Sequence, residues 1–163
     1  MIGKSVPRVD AYEKVTGRAK FTDDMILDKC LVAKVCHATI GNGIVKSIDT
    51  SEAEALDGVV KVVTFKDVPN HCYPTPGHPW SVELAHQDVA DRNLLTGRVR
   101  YYGDDIAAVV AEDEVTASRA LKLIKVEYEV LPHIHTIEEA AAPDAPRVFD
   151  EEENNICAYK HIS

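Results

Sequence analysis

A chain of 163 residues suits one domain, or a domain with an arm, and folding can bury about 70% of the surface that its unfolded form exposes. Charged residues at 28% and hydrophobic residues at 45% place it among soluble globular proteins, and no apolar run approaches the ~20 residues that span a bilayer. Eighteen basic against 27 acidic residues give a net charge of −9, which repels a phosphate backbone and disfavours nucleic acid.

Residues 7 to 24, PRVDAYEKVTGRAKFTDD, come first and fit no regular period. Val9, Tyr12, Val15 and Phe21 follow neither a two-residue nor a 3.6-residue repeat, and Pro7 and Gly17 interrupt them, so the reading is an extended, docked arm over residues 1–24. Arg8 and Lys14 are either solvated charges or partners for carboxylates on a neighbouring domain. Docking is preferred, because an arm without its own periodicity must find contacts elsewhere. Phe21 joins them as a candidate interface residue. Met1 to Asp10 lacks the apolar segment of a secretory signal, so a cytoplasmic protein is expected.

Leu31 to Ala38 reads as a strand and Gly41-Asn42-Gly43 as a turn, with a second strand through Ile44, Val45 and Ile48. Ser51 and Glu54 have capping-box spacing for a short helix through Leu56. Gly58 then stands where a left-handed residue closes the last turn, and Val59 to Phe65 is extended. Residues 66–97 form a proline-rich insertion: Pro69, Pro74, Pro76 and Pro79 deny regular hydrogen bonding. Tyr73 and Trp80 in it are candidate interface anchors, or fold back onto the domain.

The tight Gly103-Asp104 turn predicts a hairpin into a strand from Ile106 to Ala111. Ala117, Ala120, Leu121 and Ile124 fall on one face of a helix, with Arg119 and Lys122 toward solvent. Val126, Tyr128 and Val130 alternate with Lys125, Glu127 and Glu129, the clearest strand pattern in the chain. Pro132 stops it, and Thr136 with Glu139 caps a short helix through Ala142. Residues 143–163 read as an acidic connector.

Several groups of reactive residues have a chemical and a plainer reading. His71, Cys72 and His78 supply zinc-type ligands, but their proline-broken context fixes no geometry, so no metal site is assigned. Cys36 and His37 recombine a thiol and a base, yet neighbours on a strand point to opposite faces, and Cys36 reads as core. His133 and His135 read as exposed turn residues. Gly41-Asn42-Gly43 lacks the following helix of a phosphate cradle. Asp23, Asp24, Asp104 and Asp105 suit acid and base pairs, or the turn hydrogen bonds that paired acids more often serve. The widely spaced Cys30, Cys36, Cys72 and Cys157 form no CxxC pair, fitting reduced thiols rather than a disulfide or iron-sulfur scaffold.

The 7–24 run, with its basic first half and closing Asp23-Asp24 pair, resembles the xanthine dehydrogenase and aldehyde oxidase family. SIDTSEAEALDGVVKVVT at 47–64 and YYGDDIAAVVAEDEVTASRALKLIKVEYEVLP at 101–132 are similar to the same family in the same order. GHPWSVELAHQDVADRNLL at 77–95 is most similar to its bacterial xanthine dehydrogenase branch, whereas Ile40-Gly41-Asn42-Gly43 departs from a Ser-Pro-His-Ala type sequence common in relatives.

The resemblance implies an α+β domain of the α/β-hammerhead type over 25–142, with a mixed sheet, two main helices and the extended arm. It implies a molybdenum hydroxylase whose intact form oxidises a purine such as hypoxanthine or xanthine at molybdenum-molybdopterin, passing electrons to 2Fe-2S clusters and FAD. Nicotinate, aldehyde and carbon monoxide oxidising enzymes are the related possibilities. The segments that grip the cofactor, and the Glu base, are then expected downstream of Ser163. On that reading this chain carries no catalytic residue and binds no cofactor. Its partners are the molybdopterin-binding domains of the same polypeptide and the iron-sulfur and FAD subunits or domains. A free-standing binding or assembly module with the same fold is the alternative, since a fold does not dictate an activity.

Overall fold

The computed structural model describes residues 2–25, 28–74, 90–150 and 154–156, and divides into two compact units, Met1–Cys30 and Leu31–Ser163. The first unit contains helix α1 (Ala11–Val15) and a 3₁₀ turn at Thr22–Asp24. The helix corrects the expectation of a wholly extended arm. Asp10 pairs with Lys14 one turn on at 2.6 Å and the Thr16 hydroxyl bonds back to the Tyr12 carbonyl at 2.7 Å, closing five helical residues. So short a helix is below the length at which apolar periodicity is visible. None of the unit's described residues is buried: Val9, Val15 and Met25 are 102%, 82% and 68% exposed.

The second unit holds β1 (Val32–His37), β2 (Gly43–Asp49), α2 (Ser51–Glu54), β3 (Val59–Thr64), β4 (Arg98–Val99), β5 (Asp105–Ala111), α3 (Glu114–Leu121), β6 (Lys125–Val130) and α4 (Ile137–Ala140). The α+β class agrees with expectation. The mixed sheet is replaced by two three-stranded antiparallel sheets, ordered β1-β5-β3 and β4-β2-β6. Strands β4 and β5 belong to different sheets, so the Gly103 turn is a crossover, not the predicted hairpin. The two strands flanking a tight turn look identical in sequence whether they pair together or each find another partner.

One core cluster packs Ala117 and Ala120 of α3 against Val62 of β3 and Val109 and Ala111 of β5. The alanines let helix and sheet approach closely. The other joins Ile106 of β5 to Val45 of β2, Val99 of β4 and Ala38, with Phe65, Val126 and Tyr128 around it. Side chains alternate along β5, so Val109 and Ala111 point to α3 while Ile106 points the other way.

Helix ends obey the predicted chemistry at two sites and depart from it at one. Thr136 and Glu139 form the reciprocal capping box, and Gly58 takes φ +85° after α2. At α2, however, Thr50 rather than Ser51 precedes the helix, and the Ser51 amide and hydroxyl both donate to Asp49 Oδ1, at 3.0 and 2.6 Å. The Asp49 carboxylate outcompetes the predicted Ser51–Glu54 box. Helix α3 is capped by Asp113, which accepts from the Thr116 amide at 2.8 Å.

At Gly43 the chain tolerates no side chain, since a Cβ there would overlap the Glu129 carbonyl oxygen and Ile40 Cδ1. Gly43→Ala is therefore expected to destabilise the protein by about 1 to 3 kcal/mol or more by overpacking, measured as a lowered denaturation midpoint. An unchanged midpoint would contradict the close approach of β2 to β6.

Candidate functional site

A cleft of about 290 Å³ opens on the second unit, lined by Asp91, Arg92, Asn93, Thr96, Arg100, Tyr101, Asp104, Val148 and Phe149. Three segments build it: the end of the insertion, the β4–β5 crossover and the stretch after α4. The insertion end is fixed by an antiparallel bridge between Tyr73 and Arg92, whose amides and carbonyls exchange hydrogen bonds at 2.8 and 3.1 Å. The crossover is fixed by the Arg100 amide donating to Asp104 Oδ2 at 3.0 Å. The last stretch is held by Asn155, which accepts from the Val148 amide at 2.9 Å and donates to the carbonyls of Ala140 and Pro146. Residues 143–150 thus pack against the domain that precedes them.

Both arginines stack on aromatic rings, Arg92 over Tyr101 at 4.7 Å and Arg100 over Phe149 at 4.8 Å. Arg100 Nε also donates to the Val148 carbonyl at 3.1 Å. Burial pushes the Asp104 carboxyl above its ordinary value, against the Arg100 and Asp105 amides that favour its charge. Burial, then the Asp104 charge, likewise raises the Tyr101 phenol. Asp91 Oδ1 is buried without a hydrogen-bond partner among the described residues, the Arg92 Nε lying 3.8 Å away. With two guanidiniums and two carboxylates the cleft has balanced charge and suits a polar group offering both donors and acceptors.

Arg98, in β4 two residues before the cleft's Arg100, ties its own strand to the start of β2 and to Asp150. Its Nη1 donates to the Asn42 side-chain oxygen and to the Gly43 and Val99 carbonyls, and its Nε to Asp150 at 3.1 Å. Asn42, nearly buried, donates in turn to the Pro132 carbonyl, while its own carbonyl accepts from the Leu131 amide at 3.0 Å. The Gly41-Asn42-Gly43 turn is thus a structural knot.

The candidate interface residues are dispersed. Arg8 and Lys14 both pair with Asp10, at 2.5 and 2.6 Å, and these two charges, Lys14 first, lower the Asp10 carboxyl. Phe21 is 58% exposed, its amide donating to Asp24. Tyr73 backs the cleft, its hydroxyl 3.4 Å from the Asn93 carbonyl. Trp80 and His78 lie outside the described residues. Cys72 Sγ faces Asn93 Oδ1 at 3.7 Å. His37 pairs with Asp105 at 2.8 Å and is exposed, whereas its neighbour Cys36 is half-buried, with burial raising its thiol. The His133 and His135 rings meet edge to face at 4.5 Å and are exposed. Among the described residues no three His, Cys, Asp or Glu side chains group as metal ligands, and no helix is long and apolar enough to cross a membrane.

Of the carboxylates singled out in sequence, Asp104 alone enters the cleft. Arg92, Arg98, Arg100, Asn42 and Phe149 were missed, because a scattered arginine carries no local signal until the fold supplies its aromatic or carboxylate partner.

The profile of the family described as aldehyde oxidase and xanthine dehydrogenase, a/b hammerhead domain, matches residues 16–132. The xanthine dehydrogenase molybdenum-binding subunit of Escherichia coli O157:H7 is 46% identical over 143 residues, 88% of this chain and 19% of that protein. A probable hypoxanthine oxidase of the same organism is 40% identical over 151 residues, 93% of this chain and 15% of that one. Among solved structures, the aldehyde oxidoreductase of Desulfovibrio desulfuricans ATCC 27774 superposes with a TM-score of 0.75 at 35% identity, covering 91% of this chain and 17% of that one.

Carboxyl-detected NMR titration is expected to place Asp104 above the ordinary value of 3.8 and Asp150 below it, since the Arg98 hydrogen bond favours the Asp150 carboxylate. With a depressed folded value, the Arg98–Asp150 contribution is full above the ordinary carboxylate range and is lost as pH falls through the folded value. An Asp150 midpoint above that of Asp104 would contradict the described geometry.

Proposed function

The chain belongs to the aldehyde oxidase and xanthine dehydrogenase a/b hammerhead family, and from that premise we propose that it is the amino-terminal scaffold domain of a molybdenum hydroxylase subunit acting on a purine such as hypoxanthine or xanthine. The observation that carries this is the 46% identity to a molybdenum-binding subunit of which the chain spans only a fifth. A purine is preferred to an aldehyde because the two relatives named for xanthine and hypoxanthine are 46% and 40% identical, the aldehyde oxidoreductase 35%.

The cleft does not suit the cofactor's phosphate. Asp91 Oδ1 and the buried Asp104 carboxyl stand beside the arginines and oppose an added anion. Purine hydroxylation at molybdenum-molybdopterin, with electrons passed to 2Fe-2S clusters and FAD, is therefore assigned to parts of the enzyme outside this chain, and no step of it to a residue here.

The role left to this chain is mechanical. The first unit, residues 1–30, leaves Val9, Tyr12, Val15, Phe21 and Met25 in water, and an apolar surface with no core of its own is what a docked arm requires. Arg8, Lys14, Phe21, Tyr73 and Trp80 are proposed as contacts with the molybdopterin-binding domains or with the iron-sulfur and FAD partners. The acidic stretch after residue 142 leads toward the cofactor domains. The assembled enzyme is placed in the cytoplasm.

Two measurements test this. The reading frame is expected to run on past Ser163 into cofactor-binding regions, and the protein it encodes to copurify with molybdenum and oxidise xanthine with an added electron acceptor. The 163-residue chain alone is expected to do neither. Xanthine turnover by the short chain would overturn the scaffold reading, and a native stop codon after Ser163 would favour the free-standing module.

A further inference from the structure

We infer that the face of the β1-β5-β3 sheet opposite α3 is a docking surface, and that its occupant is an apolar layer from the rest of the same polypeptide. The inference rests on the scaffold reading and names the surface through which it operates.

Residues opposite one another in an antiparallel pair share a face. Ala108 of β5 lies opposite Val35 of β1 and Val63 of β3, and Val110 opposite Ala33 and Lys61. These residues therefore line one face with Ile106, the reverse of the face formed by Val109 and Ala111. At its Ile106 end that face is sealed: Ile106 is fully buried against Val45, Val99 and Phe65. Further along, the cover from the described residues thins: Ala33 and Val35 are exposed, and Val63, Ala108 and Val110 are half-buried. Ala33, Val35, Val63, Ala108 and Val110 belong to neither core cluster, and Val35 is 37% exposed. Among the described elements, the helices that pack on these three strands are α2 and α3, and both lie on the other side, in the cluster of Val62, Val109 and Ala111.

The sequence of β5 expects more. Its residues from Ile106 to Ala111 are apolar without a break, the pattern of a strand covered on both faces, whereas a half-solvated strand alternates. Strand β6 of the second sheet does alternate, and its outward Glu127 and Glu129 bond to Ser47 and Lys46. The same chain thus distinguishes a water-facing sheet surface from one that is not written for water. The open residues are all alanine or valine, apart from Lys61 at the margin. Such a surface is shallow and admits close approach by another apolar layer. The occupant is assigned to the same polypeptide because four-fifths of the length of the 46% identical relative lies outside this chain.

The test uses the full-length subunit. Ala33→Cys and Val63→Cys are compared with Lys46→Cys, which lies on the polar face of the other sheet. Maleimide labelling of each site is followed by tandem mass spectrometry, with the guanidinium-unfolded protein as reference. Ala33→Cys and Val63→Cys are expected to label ~10-fold or more slowly than Lys46→Cys in the folded subunit, since a covered side chain reacts only on local opening. Equal rates would overturn the inference. Protection that disappears on dilution, together with a dimer-to-monomer change in sedimentation, would give the face to a second copy and overturn it also. The molybdenum content of the same preparation reports separately on the family reading, so the two cannot fail indistinguishably.

Discussion

The structure depends on β5 serving two cores at once. Seven residues place Val109 and Ala111 under α3 and Ile106 among the side chains of the second sheet, so one strand holds both halves of the domain in register. The neighbouring strands have no such freedom. Among the described residues, strands β1 and β3 pair with β5 alone, and a charge on its helix-facing side would unseat Ala117 and Ala120 while leaving an unpaired buried group. The unbroken apolar run of this strand follows from that demand. It also explains why part of one face stays apolar where the described residues cover it only partly.

The second sheet is organised by a polar device rather than an apolar one. Arg98 and Asn42 satisfy each other and three backbone carbonyls between them, those of Gly43, Val99 and Pro132, at the point where β2 begins and β6 ends. Nearly buried polar groups are stable only when each has its partners, so this corner is rigid because it is fully bonded. Asp150 extends the network into the stretch after α4, and Arg100 repeats the arrangement one residue pair away through Val148 and Phe149. The cleft is the space these ties leave open. Its balanced charge fits a role in recognition or packing, in keeping with a scaffold.

Elements governed by local rules were readable from the residues. The alternation in Lys125–Val130, the capping box at Thr136 and Glu139, and the left-handed Gly58 needed only neighbours in sequence. Expectations failed where two local solutions competed. Asp49 took the Ser51 donors that the Glu54 spacing had claimed, and an ion pair from Asp10 to Lys14 wound a helix too short to show a period. The cleft was almost wholly hidden. Asp104 was visible as a turn acid, but the residues lining the cleft with it lie up to 58 positions apart, from Asp91 to Phe149.

The order of three sequence blocks determined the family, and the periodicities determined the kinds of element, because both are properties of neighbouring residues. Only tertiary structure decided that β4 and β5 part company across the Gly103 turn and that two antiparallel sheets replace a mixed one. It alone decided that Asn42 and Arg98 meet. Strand partnership and buried polar contacts are settled by which distant surfaces fit together at close packing, and no local pattern encodes that choice.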